Sequence, residues 1–136
     1  MRDGDQYLSV PVQEFATEKG FTQYTPIQKL AFKYSDETEN DLILMAETGA
    51  GKTEAATFPI CSKVDFSKPG VRVLYISPYC SLINDQTERF EEMGSFLDFR
   101  VTKWHRDAKQ SLKNSLVRNP EGVLLITPES IEAMFQ

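Results

Sequence analysis

The chain has 136 residues, one domain's worth of sequence, and a domain of that size buries about two thirds of the surface its unfolded chain exposes. Hydrophobic residues make up 40% and charged residues 26%, ordinary globular values that exclude wholesale disorder and fibrous repeats. The 15 Lys and Arg against 20 Asp and Glu leave a net charge of -5, which excludes coating of nucleic acid by bulk positive charge and leaves room for a local basic groove.

Residues 1–35 read as two short helices. Pro11 can open the first, which runs through Phe15 and Ala16 and stops at Gly20, a good C-terminal cap. The opening MRDGDQYLSV has no apolar stretch after a basic start, so no export signal is expected. Thr25 and Pro26 form an N-cap and first-turn pair for the second helix, with Ile27, Leu30, Ala31 and Tyr34 on one face. SDETEND at 35–41 reads as a solvated acidic loop.

From residue 41 onward, short apolar runs alternate with amphipathic stretches. That is the pattern of buried parallel strands joined by crossover helices. The strands are expected at 42–46, 71–77, 99–104 and 123–127, the helices at 52–63, 80–93 and 107–118, and a last helix begins near Pro128. Together they predict an α/β fold, a parallel sheet sandwiched by helices. Residues 1–40 would form a helical region and 41–136 the βαβ core. The longest apolar run, LILMA at 42–46, is too short to span a bilayer. A soluble, unexported protein is expected, cytoplasmic or, in a eukaryote, nuclear. Cys61 and Cys80 are separated by 18 intervening residues without a CxxC or Cys/His cluster, which reads as two reduced, partly buried thiols.

Directly after the first expected strand comes AETGAGKT, residues 46–53, followed at once by an expected helix. That order is what a phosphate-binding loop requires. Gly49 and Gly51 allow backbone angles that turn consecutive N–H groups inward, and the helix start adds the positive end of its dipole. Thr48, Gly49, Ala50, Gly51, Lys52, Thr53 and Glu54 are therefore the candidate nucleotide-binding residues. Lys52 would place a charge on the β and γ phosphates, and the Thr53 hydroxyl would take one position on Mg²⁺. These two are the candidate catalytic residues, Thr53 also the candidate metal ligand, and ATP with Mg²⁺ the expected cofactors. The strict loop pattern has Gly where this chain has Ala46.

The A-x-T-G-x-G-K-T form of the loop resembles motif I of superfamily 2 helicases, the group holding the DEAD-box and DEAH-type enzymes. GFTQYTPIQ at 20–28 resembles the Q motif of that family, which implies that Gln28 reads the adenine edge. Phe21 is the nearby aromatic expected to stack on the base, with Tyr24 as the alternative. SPYCSLINDQ at 77–86 resembles motif Ia, and TPES at 127–130 resembles motif Ib. The resemblance implies contacts from Ser77, Pro78, Ser81, Thr127 and Pro128 to a nucleic-acid backbone. The stretch from Lys103 is similar to that of Lhr-type helicases, with Arg106 where those have glycine. His105 reads as a structural or strand-contacting residue, and Trp104 as core.

In that family an Asp-Glu pair follows motif Ib and a second RecA-like domain carries an arginine finger; the 136 residues contain neither. The resemblance therefore implies the N-terminal part of a first RecA-like domain, a piece that binds ATP with negligible turnover, from a helicase or translocase acting on single-stranded DNA or RNA. Two other classes fit a phosphate loop. A small nucleotide kinase or GTPase would need a substrate lid or an N-K-x-D segment, which is absent, and a non-catalytic interaction module gives no reason for an intact GKT.

Overall fold

The computed structural model describes residues 1–105 and 108–134. They form two compact units, Met1–Val64 and Asp65–Gln136.

The first unit is helical. After a single 3₁₀ turn at Asp5–Tyr7 come α1 (Val10–Glu18), α2 (Pro26–Glu37) and α3 (Lys52–Lys63). Ser9 caps α1, its side chain accepting from the Val12 N–H, and Pro11 lies in the first turn. Thr25 caps α2 through a full capping box with Gln28.

The buried residues of α2 are Gln28, Ala31 and Phe32, whereas Leu30 and Tyr34 are exposed. The expected apolar face was therefore displaced by about one residue. The reason is aromatic: Phe32 packs against Tyr24 and Phe58, with ring centroids 4.9 and 6.1 Å away, which turns α2 toward them. The helix also runs through Glu37, so only the end of SDETEND is loop. Phe58 of α3 is the hub of this core, meeting Phe15, Phe21 and Tyr24 edge-on at 6.1, 5.4 and 6.4 Å.

The expected strand at 42–46 is not formed. These residues carry no regular secondary structure, and Ile43 and Met45 are 89% and 83% exposed. A strand is held by its ladder, and none of the described strands pairs with this segment.

The second unit is α/β. In chain order it holds β1 (Gly70–Ile76), α4 (Cys80–Leu97), β2 (Val101–Trp104), α5 (Gln110–Arg118), β3 (Glu121–Ile126) and α6 (Pro128–Met134). The strands form a fully parallel sheet in the order β1-β3-β2. The centre falls to β3 because Val123, Leu124, Leu125 and Ile126 are apolar without alternation and buried on both faces.

Helices cover both faces. Leu116 of α5 packs with Leu124 and Ile126, joined by Val71, Trp104 and Ile131. On the opposite face Tyr75, paired with Leu125, meets Phe90 of α4 at 5.3 Å; a register shift between Val71 and Val73 puts Val71 and Tyr75 on opposite faces although they are four residues apart. Gly122, the second residue of β3, has φ 69°, and a Cβ there would strike the Arg100 carbonyl, the group that accepts from the Val123 N–H at 2.9 Å. The sandwiched parallel sheet is as expected. Trp104 takes the core role.

Candidate functional site

In the first unit, residues 46–53 form a turn leading into α3. Gly49 and Gly51 have φ of 85° and 81°, left-handed backbone that glycine adopts without strain. The Ala50 N–H donates to the Glu47 carbonyl at 3.1 Å. Gly51 is the N-cap of α3 and offers no side-chain cap, so the helix's leading N–H groups keep their capacity for an anion. Lys52 is exposed and reaches back across the loop, donating from Nζ to the Ala46 carbonyl at 2.8 Å. Thr48 and Gly49 are exposed, while Ala50, Thr53 and Glu54 are half-buried, the last two in the first turn of α3.

Two side chains of α2's capping box pin this loop from beneath. The Thr25 hydroxyl donates to the Ala50 carbonyl at 2.7 Å, and Gln28 Nε2 donates to the Gly51 carbonyl at 3.1 Å. Gln28 is 2% exposed, and its Oε1 also accepts from the Thr25 N–H at 2.9 Å. An amide offers two donors and two lone pairs, so one donor and one lone pair are taken by the protein itself. A Cβ on Gly51 would run into the Gln28 amide; only glycine lets this approach occur.

Sequence reasoning found Thr25 as a helix cap but missed it as a loop clamp. The T-x-x-Q pattern signals the cap, while the second bond depends on a loop 25 residues away.

Phe21 is half-buried, its ring edge-on to Phe58. Tyr24 is buried in the core, its hydroxyl donating to Asp5 Oδ1 at 2.7 Å. Burial raises the Tyr24 hydroxyl well above its ordinary range, and the Asp5 hydrogen bond adds to this. Of the two aromatics, Phe21 is the one with an accessible surface.

In the second unit the parallel register brings three of the sequence candidates to one edge. Ile126 is paired with Ile76 on one side and with Trp104 on the other, so Ser77, His105 and Thr127 follow these three strand ends at the C-terminal edge of the sheet, the side where ligands of such folds bind. All three are nevertheless buried. The Ser77 N–H donates to the Ile126 carbonyl at 3.0 Å, extending the ladder. The Thr127 hydroxyl donates to Ser130 Oγ at 3.0 Å, tying the start of α6. Of the sequence candidates at this edge, Pro78, Ser81 and Pro128 are accessible, as is the start of α4, whose N-cap Tyr79 supplies no side-chain bond. Arg106 lies outside the described residues. Cys61 is buried and its thiol is pushed up to about 12 by that burial; Cys80 is half-buried.

The sequence model of the DEAD/DEAH box helicase family matches residues 25–136. The chain belongs to that family. Its fold is that of the family's RecA-like, phosphate-loop ATP-binding domain. Among curated relatives, the ATP-dependent RNA helicase DBP10 of Debaryomyces hansenii is 33% identical over 115 residues, covering 82% of this chain and 12% of that protein. DEAD-box ATP-dependent RNA helicase 12 of Oryza sativa subsp. japonica is 30% identical over 116 residues, 84% of this chain and 22% of that protein. Among solved structures, Mycobacterium smegmatis helicase Lhr bound to ssDNA and AMP-PNP aligns with a TM-score of 0.82 at 26% identity, covering 94% of this chain and 18% of that one. The chain thus spans about an eighth to a fifth of these proteins' lengths.

Proposed function

We propose that this chain is the ATP-gripping part of a helicase that couples nucleotide hydrolysis to movement on, or unwinding of, single-stranded nucleic acid. The observation that carries the reading is the 46–53 loop: two left-handed glycines, an uncapped helix start and a lysine that already crosses the loop. Backbone N–H groups of such a loop surround a phosphate, and Lys52 exchanges the neutral Ala46 carbonyl for the charged β and γ phosphates.

Magnesium fits the same loop. Among the described residues no group of three or more His, Cys, Asp or Glu could hold an ion alone, whereas Mg²⁺ in nucleotide sites takes few protein ligands and the rest from phosphate and water. The half-buried Thr53 hydroxyl in the first turn of α3 is the oxygen on offer. When bound, the ion neutralises charge developing between the β and γ phosphates.

At the base end, Phe21 would lie against adenine, and the remaining donor and lone pair of Gln28 match the donor and acceptor of its edge. The nucleic acid would track the sheet's C-terminal edge in the second unit, through the Ser81 hydroxyl and the start of α4, with Pro78 and Pro128 shaping the surface. Ser77, His105 and Thr127 would hold that edge from below. Such contacts read backbone and not sequence.

DBP10 is named an RNA helicase and the Lhr structure holds ssDNA, so either strand chemistry is compatible with these contacts. Hydrolysis needs acidic and arginine partners from outside these residues, the arginine from a second RecA-like domain; the arginine alone is worth about 10³ to 10⁵ in rate.

The test is the ATPase rate of the full-length protein with and without single-stranded nucleic acid. We expect stimulation by the strand, abolished by Lys52→Ala. Stimulated hydrolysis that survives Lys52→Ala would overturn the assignment.

A further inference from the structure

A dense polar cluster lies away from the phosphate loop, in the first unit at the amino terminus. The Arg2 guanidinium is 11% exposed and its partner Asp5 carboxylate 3%. Arg2 Nε lies 3.2 and 3.1 Å from the two Asp5 oxygens. Its Nη1 donates to the Phe21 carbonyl at 2.9 Å and Nη2 to the Gln13 carbonyl at 2.8 Å. The guanidinium carbon sits 5.4 Å from the Tyr24 ring centroid, and Asp5 accepts the Tyr24 hydroxyl. Gln13 closes the cluster by donating from Nε2 to the carbonyls of Asp5 and Leu8.

A buried ion pair is costly unless its remaining hydrogen-bonding capacity is met. Here the planar fork of arginine meets three different segments at once, which a lysine could not do. Networks satisfied in this way rigidify what they hold. What this one holds is specific. Both ends of the Phe21–Tyr24 segment are fixed, the first by its carbonyl and the second by its hydroxyl and ring. The next residue, Thr25, starts the clamp on Ala50. Thr25 and Gln28 are secured separately by their own capping box, so the amino-terminal network acts on the aromatic end of the segment more than on the glycine loop.

We propose that Arg2 and Asp5 are positioning residues for the base end of the nucleotide site: they fix Phe21 at the height and angle from which it meets the purine. The proposal rests on reading residues 46–54 as the triphosphate site. It follows that losing the network weakens binding of a base-bearing nucleotide and spares binding of the bare phosphate chain. A purely structural role would weaken both together.

The experiment compares dissociation constants of ATP and inorganic tripolyphosphate, each with Mg²⁺, for the full-length protein and its Arg2→Gln, Tyr24→Phe and Lys52→Ala variants. For Arg2→Gln we expect ATP affinity to fall about tenfold, toward the lower end of what losing one base–aromatic stack costs, with tripolyphosphate unchanged. Tyr24→Phe, which removes one hydroxyl, should show the same selectivity with a smaller loss, and it decides the matter alone if Arg2→Gln does not fold. Equal losses for both ligands in the folded variants, or no loss for either, would overturn the proposal. Lys52→Ala separates the two readings: tripolyphosphate binding that survives it sinks the triphosphate site itself.

Discussion

Residues 46–51 in the first unit are turn and irregular backbone, while Ser77, His105 and Thr127 in the second sit at the ends of three paired strands. The loop is held by side chains reaching to backbone: Thr25 to Ala50, Gln28 to Gly51 and Lys52 to Ala46. The sheet edge is held by the ladder, with its polar residues turned inward. The difference teaches where a substitution should register. Around the loop, a lost polar side chain changes what the backbone can bind. At the sheet edge, it changes how well the edge is built.

The largest effects should separate the two units by their cores. Phe58→Ala removes the ring on which Phe15, Phe21, Tyr24 and Phe32 converge, a loss of about 3 to 5 kcal/mol. It should also abolish ATP binding, because α3 carries Lys52 and Thr53. Gly122→Ala drives a Cβ into the Arg100 carbonyl at positive φ, and backbone on a paired strand has little room to yield. About 1 to 3 kcal/mol of strain is expected, visible as a lower denaturant midpoint with nucleotide affinity retained in the molecules that remain folded. If Gly122→Ala abolished ATP binding in folded protein, the division of labour between the units would fail.

Acid should weaken the first unit through Asp5. Burial alone would raise the Asp5 carboxyl, but the hydrogen bonds from Tyr24 and Arg2, with the Arg2 charge, outweigh it and lower it below 3.8. A depressed folded-state value means the stabilisation is complete above the unfolded value and is lost as pH falls through the folded one. Urea midpoints measured downward from about pH 7 should therefore drop below about pH 4, and Asp5→Asn should be less stable at neutral pH with a flatter acid limb. A midpoint for Asp5→Asn that tracked wild type throughout would contradict this.

The smallest effect belongs to the sheet edge. Thr127→Val removes a fully buried hydroxyl bonded to Ser130, worth about 1 kcal/mol. The salt dependence of single-strand binding should keep its slope, since that slope counts phosphate contacts and this side chain makes none from its buried position. A shallower slope would place Thr127 on the strand.

Much of this was legible in the residues. The loop, α3 and the three sheet strands follow from local signals: glycine spacing, the apolar run of β3 and turn residues at its ends. The buried face of α2 was not, since Ile27, Leu30 and Tyr34 satisfy helical spacing as well as Gln28 and Phe32 do, and the choice was made by aromatic partners distant in sequence. The segment at 42–46 looked like a strand because apolar run length carries no information about whether a ladder partner is present. Ser77 and Thr127 were placed at the correct edge by motif order, but which side of the edge they face depends on capping bonds to α6 and the ladder. The roles of Arg2 and Asp5 left no mark, because three of their four anchors are backbone carbonyls or a ring that no pattern links to them.

The central claim is that the 46–53 loop grips a triphosphate through its backbone and Lys52. Calorimetric titration of ATP with Mg²⁺ into wild type and Lys52→Ala tests it most directly. Loss of one charge-assisted contact, about 2 kcal/mol, should weaken binding about thirtyfold; equal affinities for the two proteins would contradict the account.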